Sequence, residues 1–256
     1  MLLLALTGCL DAILEAPFVL STGLTEVRSI TPSGRTTMLA ATPGGVVEID
    51  GSGAHTLLST HPARAIAAHA TVIYLLTDDA LLWGAMPPPG ERIGALSHIS
   101  VAGVVDIQSW CHGQVLLAGA AGLQTFDSSS GMLSPYPAKL PPLKSVSLPA
   151  EAPCTGAVVA SADAVIEVIG EELRSLPVDT PRVVTPGRDG HTWLIHGTPP
   201  ILSRMQDGTL SLRAEHIGNP LDAHFGTGEL FSPSNIYFAD AAGTLDYARV
   251  IDDASR

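Results

Sequence analysis

Two side chains stand out as candidates for chemistry. His196 and Asp240 each follow directly on a short apolar run, Trp193-Leu194-Ile195 and Tyr237-Phe238-Ala239. Four comparable runs in the chain are followed instead by Ala41, Leu76, Ala118 and Ala160. A histidine and a carboxylate at one level can bind a ligand or a metal, or pass a proton. The same pair can serve as a structural hydrogen bond. Asp78, Asp79 and Asp163 fall in the turns after corresponding runs. Together they suit a cation or a basic peptide, or are simply solvated turn residues. His69, His112, His191 and His224 lie near one class of loop, and no histidines share metal-ligand spacing within one element. The chain has no GxSxG, HExxH, P-loop or GxGxxG motif. No catalytic residue is therefore assigned, and neither a metal nor a cofactor is expected.

The elements that must position these residues come from a repeat. Six segments share one template: an apolar triplet, a short turn, and an apolar residue seven positions after the triplet centre. They are Met38-Leu39-Ala40 with Val46, Ile73-Tyr74-Leu75 with Leu81, Val115-Leu116-Leu117 with Leu123, Ala157-Val158-Val159 with Val165, Trp193-Leu194-Ile195 with Ile201, and Tyr237-Phe238-Ala239 with Leu245. The centres at 39, 74, 116, 158, 194 and 238 give a period of about 40 residues, as expected for propeller blades. An unbroken apolar triplet suits a strand covered on both faces. Turn formers such as Thr42-Pro43-Gly44-Gly45 join the two strands of each hairpin. Polar stretches such as His55–Leu58 and Thr209–Leu212 read as outer strands, and Val104–Ile107 and Arg182–Thr185 as innermost ones. The expectation is an all-β, six-bladed β-propeller spanning residues 16–256. Residues 16–22 are expected to complete the last blade, because a ring with an open edge invites aggregation.

The repeat also carries resemblances. Gly190-His191-Thr192-Trp193 after Asp189 resembles the blades of bacterial sensor propellers. Phe126-Asp127-Ser128-Ser129-Ser130-Gly131 resembles the outer hairpin of quinoprotein-type and YVTN-type propellers. At the N-terminus, Leu6-Thr7-Gly8-Cys9 closes an apolar run and resembles the lipobox of bacterial lipoproteins. That resemblance implies a signal peptide over 1–8, a lipidated Cys9 and a short tether over 9–15. It also implies an envelope location, lipid-anchored at the outer membrane and facing periplasm or exterior. Cys111 and Cys154 lie about one period apart, in the same kind of loop of neighbouring blades, and are either a disulfide or two free thiols.

Composition narrows the partners. The formal net charge of −12 repels phosphate backbones, so no nucleic acid partner is expected. Asn219 and Asn235 are the only asparagines and Trp83, Trp110 and Trp193 the only tryptophans. The first counts against the Asn-containing ligand set of metal lactonases, the second against quinoprotein tryptophan docking. The leading expectation is a non-enzymatic envelope lipoprotein presenting a rigid ring to an envelope protein partner. The alternatives are a propeller enzyme (lactonase-like hydrolase or lyase) and a small-molecule sensor, with the site at an acidic ring mouth.

Overall fold

The computed structural model describes residues 13–14, 18–33, 37–69, 71–149, 154–187, 191–206, 208–215, 217–225 and 235–251. Residues 1–12, with Cys9 and the lipobox-like run, lie outside them, as does Arg188–Gly190. The described chain forms six antiparallel sheets in sequence order. Blade 1 holds Ser29–Pro32, Met38–Thr42, Gly45–Ile49 and His55–Ser59, from innermost to outermost strand. Blade 2 holds Ala65–His69, Val72–Leu76, Ala80–Ala85 and Ser97–Ser100. Blade 3 holds Val104–Ser109, Gln114–Gly119, Gly122–Asp127 and Met132–Pro135. Blade 4 holds Ser145–Ser147, Gly156–Ala160, Ala164–Ile169 and Glu172–Pro177. Blade 5 holds Val183–Pro186, Thr192–His196, Ile201–Gln206 and Thr209–Glu215. Blade 6 holds Pro220–Phe225, Asn235–Asp240 and Thr244–Ile251. The only helix among the described residues is one 3-10 turn, Cys111–Gly113.

All six apolar triplets lie in second strands and all six paired residues in third strands. Their burial follows from position. Each second strand is covered on both faces by the neighbouring blades, and Met38–Ala41, Ile73–Leu76, Val115–Ala118 and Ala157–Ala160 are sealed from solvent. The core is accordingly split into six clusters, each between adjacent blades. One joins blade 6 to blade 1 through Tyr237, Ala239 and Leu245 against Ile30, Met38 and Ala40. The ring is therefore closed by packing.

Closure also uses the chain's start. Phe18–Ser21 pairs antiparallel with the third strand of blade 6, Phe18 opposite Tyr247 and Ser21 opposite Thr244. Ile13–Leu14 continues the pairing at Ile251 and Val250. The N-terminal segment thus supplies the outer strand of the last blade, the role expected of residues 16–22. The Thr22 hydroxyl then donates to the Gly243 carbonyl at 2.7 Å, fastening the incoming chain to the blade 6 turn.

Candidate functional site

The six innermost strands surround the axis, and one level of them can be compared residue by residue. The ladder places Ser29, Ala65, Asp106, Ser145, Val183 and Asp222 opposite Ala41, Leu76, Ala118, Ala160, Ile195 and Ala239, at the ends of their second strands. The next residue in each strand brings a backbone N–H to this level: Ile30, Ile66, Ile107, Val146, Val184 and Ala223. A buried N–H needs an acceptor. Ser29 Oγ accepts from Ile66, one blade on, at 3.2 Å. Ser145 Oγ accepts from Val184 at 3.3 Å. Ala65 and Val183 have nothing to offer the blades that follow them, which are the two aspartate blades. There the carboxylate does both jobs. Asp106 accepts its own neighbour Ile107 at 2.8 Å and Val146 of blade 4 at 2.8 Å. Asp222 accepts Ala223 at 2.8 Å and Ile30 of blade 1 at 2.9 Å. All six amides are satisfied, in a pattern that repeats after three blades.

Both aspartates follow a break in the ladder. The register shifts between Val104 and Asp106 and again between Pro220 and Asp222. Val105 and Leu221 are the extra residues, and each stays exposed at the channel mouth although it belongs to an innermost strand. A bulge of this kind bends the strand and re-aims the next side chain. Here it turns the carboxylates so that each can reach amides on two blades.

Blades 3 and 6 face each other across the ring, so the two carboxyls approach from opposite sides. Burial, followed by the charge of Asp222, pushes Asp106 up to about 7. Burial likewise pushes Asp222 up to about 6, against the pull of the Ile30 N–H and the Ser29 hydroxyl. His224, two residues beyond Asp222 on the same strand, is driven down to about 4 by burial, partly opposed by the negative charge of Asp106. The axis thus holds two carboxyls biased toward their protonated form and an imidazole held neutral. Among the described residues, no three His, Cys, Asp or Glu side chains cluster closely enough to hold a metal ion.

The residues singled out in the sequence sit farther from the axis. His196 ends the second strand of blade 5, and its Nε2 lies 2.9 Å from Ser203 Oγ. Burial lowers its pKa, partly offset by Asp179. Asp240 ends the second strand of blade 6 and accepts the N–H groups of Ala242 at 2.6 Å and Asn219 at 3.3 Å. Each is engaged within its own turn region, and no hydrogen bond joins the two. Asp78 is exposed, 3.7 Å from Arg64 Nε. Asp79 accepts from Thr77 Oγ1 at 3.2 Å and Asp163 from Ser161 Oγ at 3.3 Å. These three occupy the turns that close second and third strands, an outer circle of the same face. On the opposite face, Cys111 and Cys154 form a disulfide between the loops of blades 3 and 4, with Cα atoms 5.3 Å apart. Asp106 and Asp222 were not singled out from the sequence, and His224 was placed only among scattered loop histidines. The available signal was an acidic residue enclosed by apolar ones in an innermost strand: Val104-Val105-Asp106-Ile107 and Pro220-Leu221-Asp222-Ala223.

No protein-family model matches the chain, and no curated protein sequence matches it. Solved structures do. A gluconolactonase from Xanthomonas campestris is 13% identical, with 94% of this chain and 90% of that one aligned at a TM-score of 0.71. A streptogramin B lyase is 11% identical over 92% and 98%, at 0.65. The PQQ-bound aldose sugar dehydrogenase of Streptomyces coelicolor is 9% identical over 94% and 99%, at 0.68. Likeness at such identity carries the architecture and not the activity: the chain is a six-bladed β-propeller.

Proposed function

We propose that this protein is a propeller enzyme of the hydrolase or lyase kind, working by proton transfer in the axial channel. The observation that carries the reading is the placement of Asp106 across the axis from Asp222 and His224, with the two carboxyls raised to about 7 and about 6 and the imidazole lowered to about 4 and so held neutral. Carboxyls raised toward neutral pH can deliver protons there, and an imidazole held neutral can accept one. Neutral His224 has a free lone pair with which to take a proton from water or from a substrate carbon. Like charges facing each other favour a shared proton on the carboxyl pair. That proton can pass to a leaving alkoxide oxygen as an ester or lactone C–O bond breaks. With water as the nucleophile the outcome is hydrolysis. With proton removal from carbon, the ester's alkyl C–O bond at the adjacent carbon breaks instead, by elimination, giving an alkene and a carboxylate that takes up the proton.

The expectation of a non-enzymatic scaffold fits the comparisons less well, since the structural neighbours named above are enzymes. The proposal keeps the envelope location, with Cys9 lipidated. The disulfide between Cys111 and Cys154 is compatible with an oxidising compartment. The test is turnover of a panel of lactones and cyclic depsipeptides by the purified protein, followed by mass spectrometry. A product heavier by one water marks a hydrolase, and an opened ring of unchanged mass marks a lyase. His224→Gln and Asp106→Asn should each abolish turnover. Full activity in both variants, or no turnover across the panel, defeats the proposal.

A further inference from the structure

One step above the aspartate level, toward the face with the second-to-third strand turns, stands another set of six residues: Arg28, Arg64, Val105, Lys144, Arg182 and Leu221. Their equivalence is visible in the backbone. Arg28, Arg64, Lys144 and Arg182 donate their N–H groups to the carbonyls of Ala41, Leu76, Ala160 and Ile195, at 2.9, 2.7, 2.8 and 2.9 Å. Those acceptors end the second strand of each residue's own blade. Val105 and Leu221 are the bulged residues of the two remaining blades. The chain has 13 Lys and Arg among 256 residues, so six positions picked at random would hold fewer than one. This rim holds four, in two pairs separated by exposed apolar side chains.

The two pairs are not alike. Arg28 is neutralised by Glu26 at 3.0 Å, and Arg64 lies 3.7 Å from Asp78. Among the described residues, no carboxylate pairs with Lys144 or Arg182. Arg182 Nη1 instead donates to the neutral amide oxygen of Asn219 at 2.9 Å. That bond fixes the guanidinium without cancelling its charge and leaves further N–H donors for a planar anion. Val105 flanks this pair on one side and Leu221 on the other, 36% and 40% exposed. The carboxyls one level below ionise less readily than ordinary ones, which weakens their repulsion of an incoming anion.

We propose that the rim from blade 3 to blade 6 binds a small organic anion with an apolar body, its carboxylate between Lys144 and Arg182 and its hydrocarbon part against Val105 or Leu221. This deepens the enzyme reading, on which it rests, by naming the charge and polarity of what enters the channel. Isothermal titration of the full chain with octanoate tests it, with octanamide as the uncharged control. Octanoate should bind at least tenfold more tightly than octanamide, and added salt should weaken it. The Lys144→Gln/Arg182→Gln variant should lose that preference. Arg174→Gln, on the outer strand of blade 4, should keep it. Circular dichroism on each variant guards against misfolding, and the replaced side chains reach solvent. Equal affinity for octanoate and octanamide, or unchanged octanoate affinity in the double variant, overturns the site. The two readings fail separately. Charge-dependent octanoate binding without turnover of any lactone removes the enzyme and leaves the anion site. Turnover indifferent both to octanoate and to the double variant removes the anion site and leaves the enzyme.

Discussion

Replacing Asp106 by Asn isolates the two opposing roles of that carboxyl. In the folded chain its oxygens accept separate amides, Ile107 at one and Val146 at the other, both at 2.8 Å. Asparagine offers one carbonyl oxygen, and its NH2 group faces an N–H at the second position. One buried amide is left without an acceptor, a loss of about 1–3 kcal/mol. Against this stands the burden of ionising a buried acid. Raising the carboxyl from 3.8 to about 7 corresponds to up to about 4 kcal/mol. A carboxyl whose folded-state pKa lies above its unfolded one favours folding while protonated, below about pH 4. That advantage is lost as pH climbs through about 7. Asp106→Asn escapes the loss, while Asp222 stays raised by its own burial. His224 stays neutral over this range, since its pKa lies near 4. The substitution should therefore destabilise by about 1–3 kcal/mol below about pH 4, have a small net effect near pH 5, and stabilise by about 1–3 kcal/mol at pH 8. Urea unfolding of both proteins from pH 5 to 8, read by tryptophan fluorescence, gives the difference directly. A penalty that stays constant or grows with pH would falsify the reasoning, because the donors would then outweigh burial and hold the acid ionised.

Other features give shorter predictions. Cys154→Ser opens a disulfide that closes a 43-residue loop, which the chain-entropy relation puts at about 4 kcal/mol; a thermal midpoint equal to the wild type's under non-reducing conditions would speak against a stabilising bridge. Gly243→Ala places a Cβ on the Leu24 carbonyl at a residue with φ +81°, so it should loosen the clasp on the N-terminal strand and raise amide exchange in residues 18–21 before the rest of the ring. Trp193→Ala empties a fully buried site between blades 5 and 6 and should lower stability by about 3–5 kcal/mol in the same urea assay.

The wheel was legible in the sequence because its signal is hydrophobic and periodic. Each second strand is covered on both faces, so nothing dilutes its apolar triplet, and the turns that follow need residues of special conformation. The closing strand could be read by subtraction, since the last repeat ended without a fourth strand while Phe18–Ser21 stood spare. The axial groups were hidden for the opposite reason. Asp106 and Asp222 each interrupt an apolar run once, and a single acid carries no period. Their common register is also masked by bulges that displace them by one residue from Ser29, Ala65, Ser145 and Val183. Residues next to the triplets, such as His196 and Asp240, drew notice because they break a repeat that was already visible. Their polar atoms serve their own turn regions.

One count ties the hidden features together. Six blades present six inward amides at one level, and a ring made only of serines could satisfy them one by one. This chain instead places Ala65 and Val183 where two acceptors are due and assigns each following aspartate a double load. A carboxylate is the one side chain with two acceptor oxygens and no obligatory donor, and the bulge sets it where both can be used. The arrangement brings carboxyls to the axis only in blades 3 and 6, and the rim positions of the other four blades hold Arg28, Arg64, Lys144 and Arg182. If that logic holds, Ala65→Ser should bring a second acceptor to the Ile107 amide and release one Asp106 oxygen from it. Measured by carboxyl titration in NMR, Asp106 would then rise further, because the donor that favours its ionised form is shared. An unchanged or lowered Asp106 pKa in a folded Ala65→Ser protein would show that the carboxylate is not tuned by this amide, and the three-blade code would lose its physical basis.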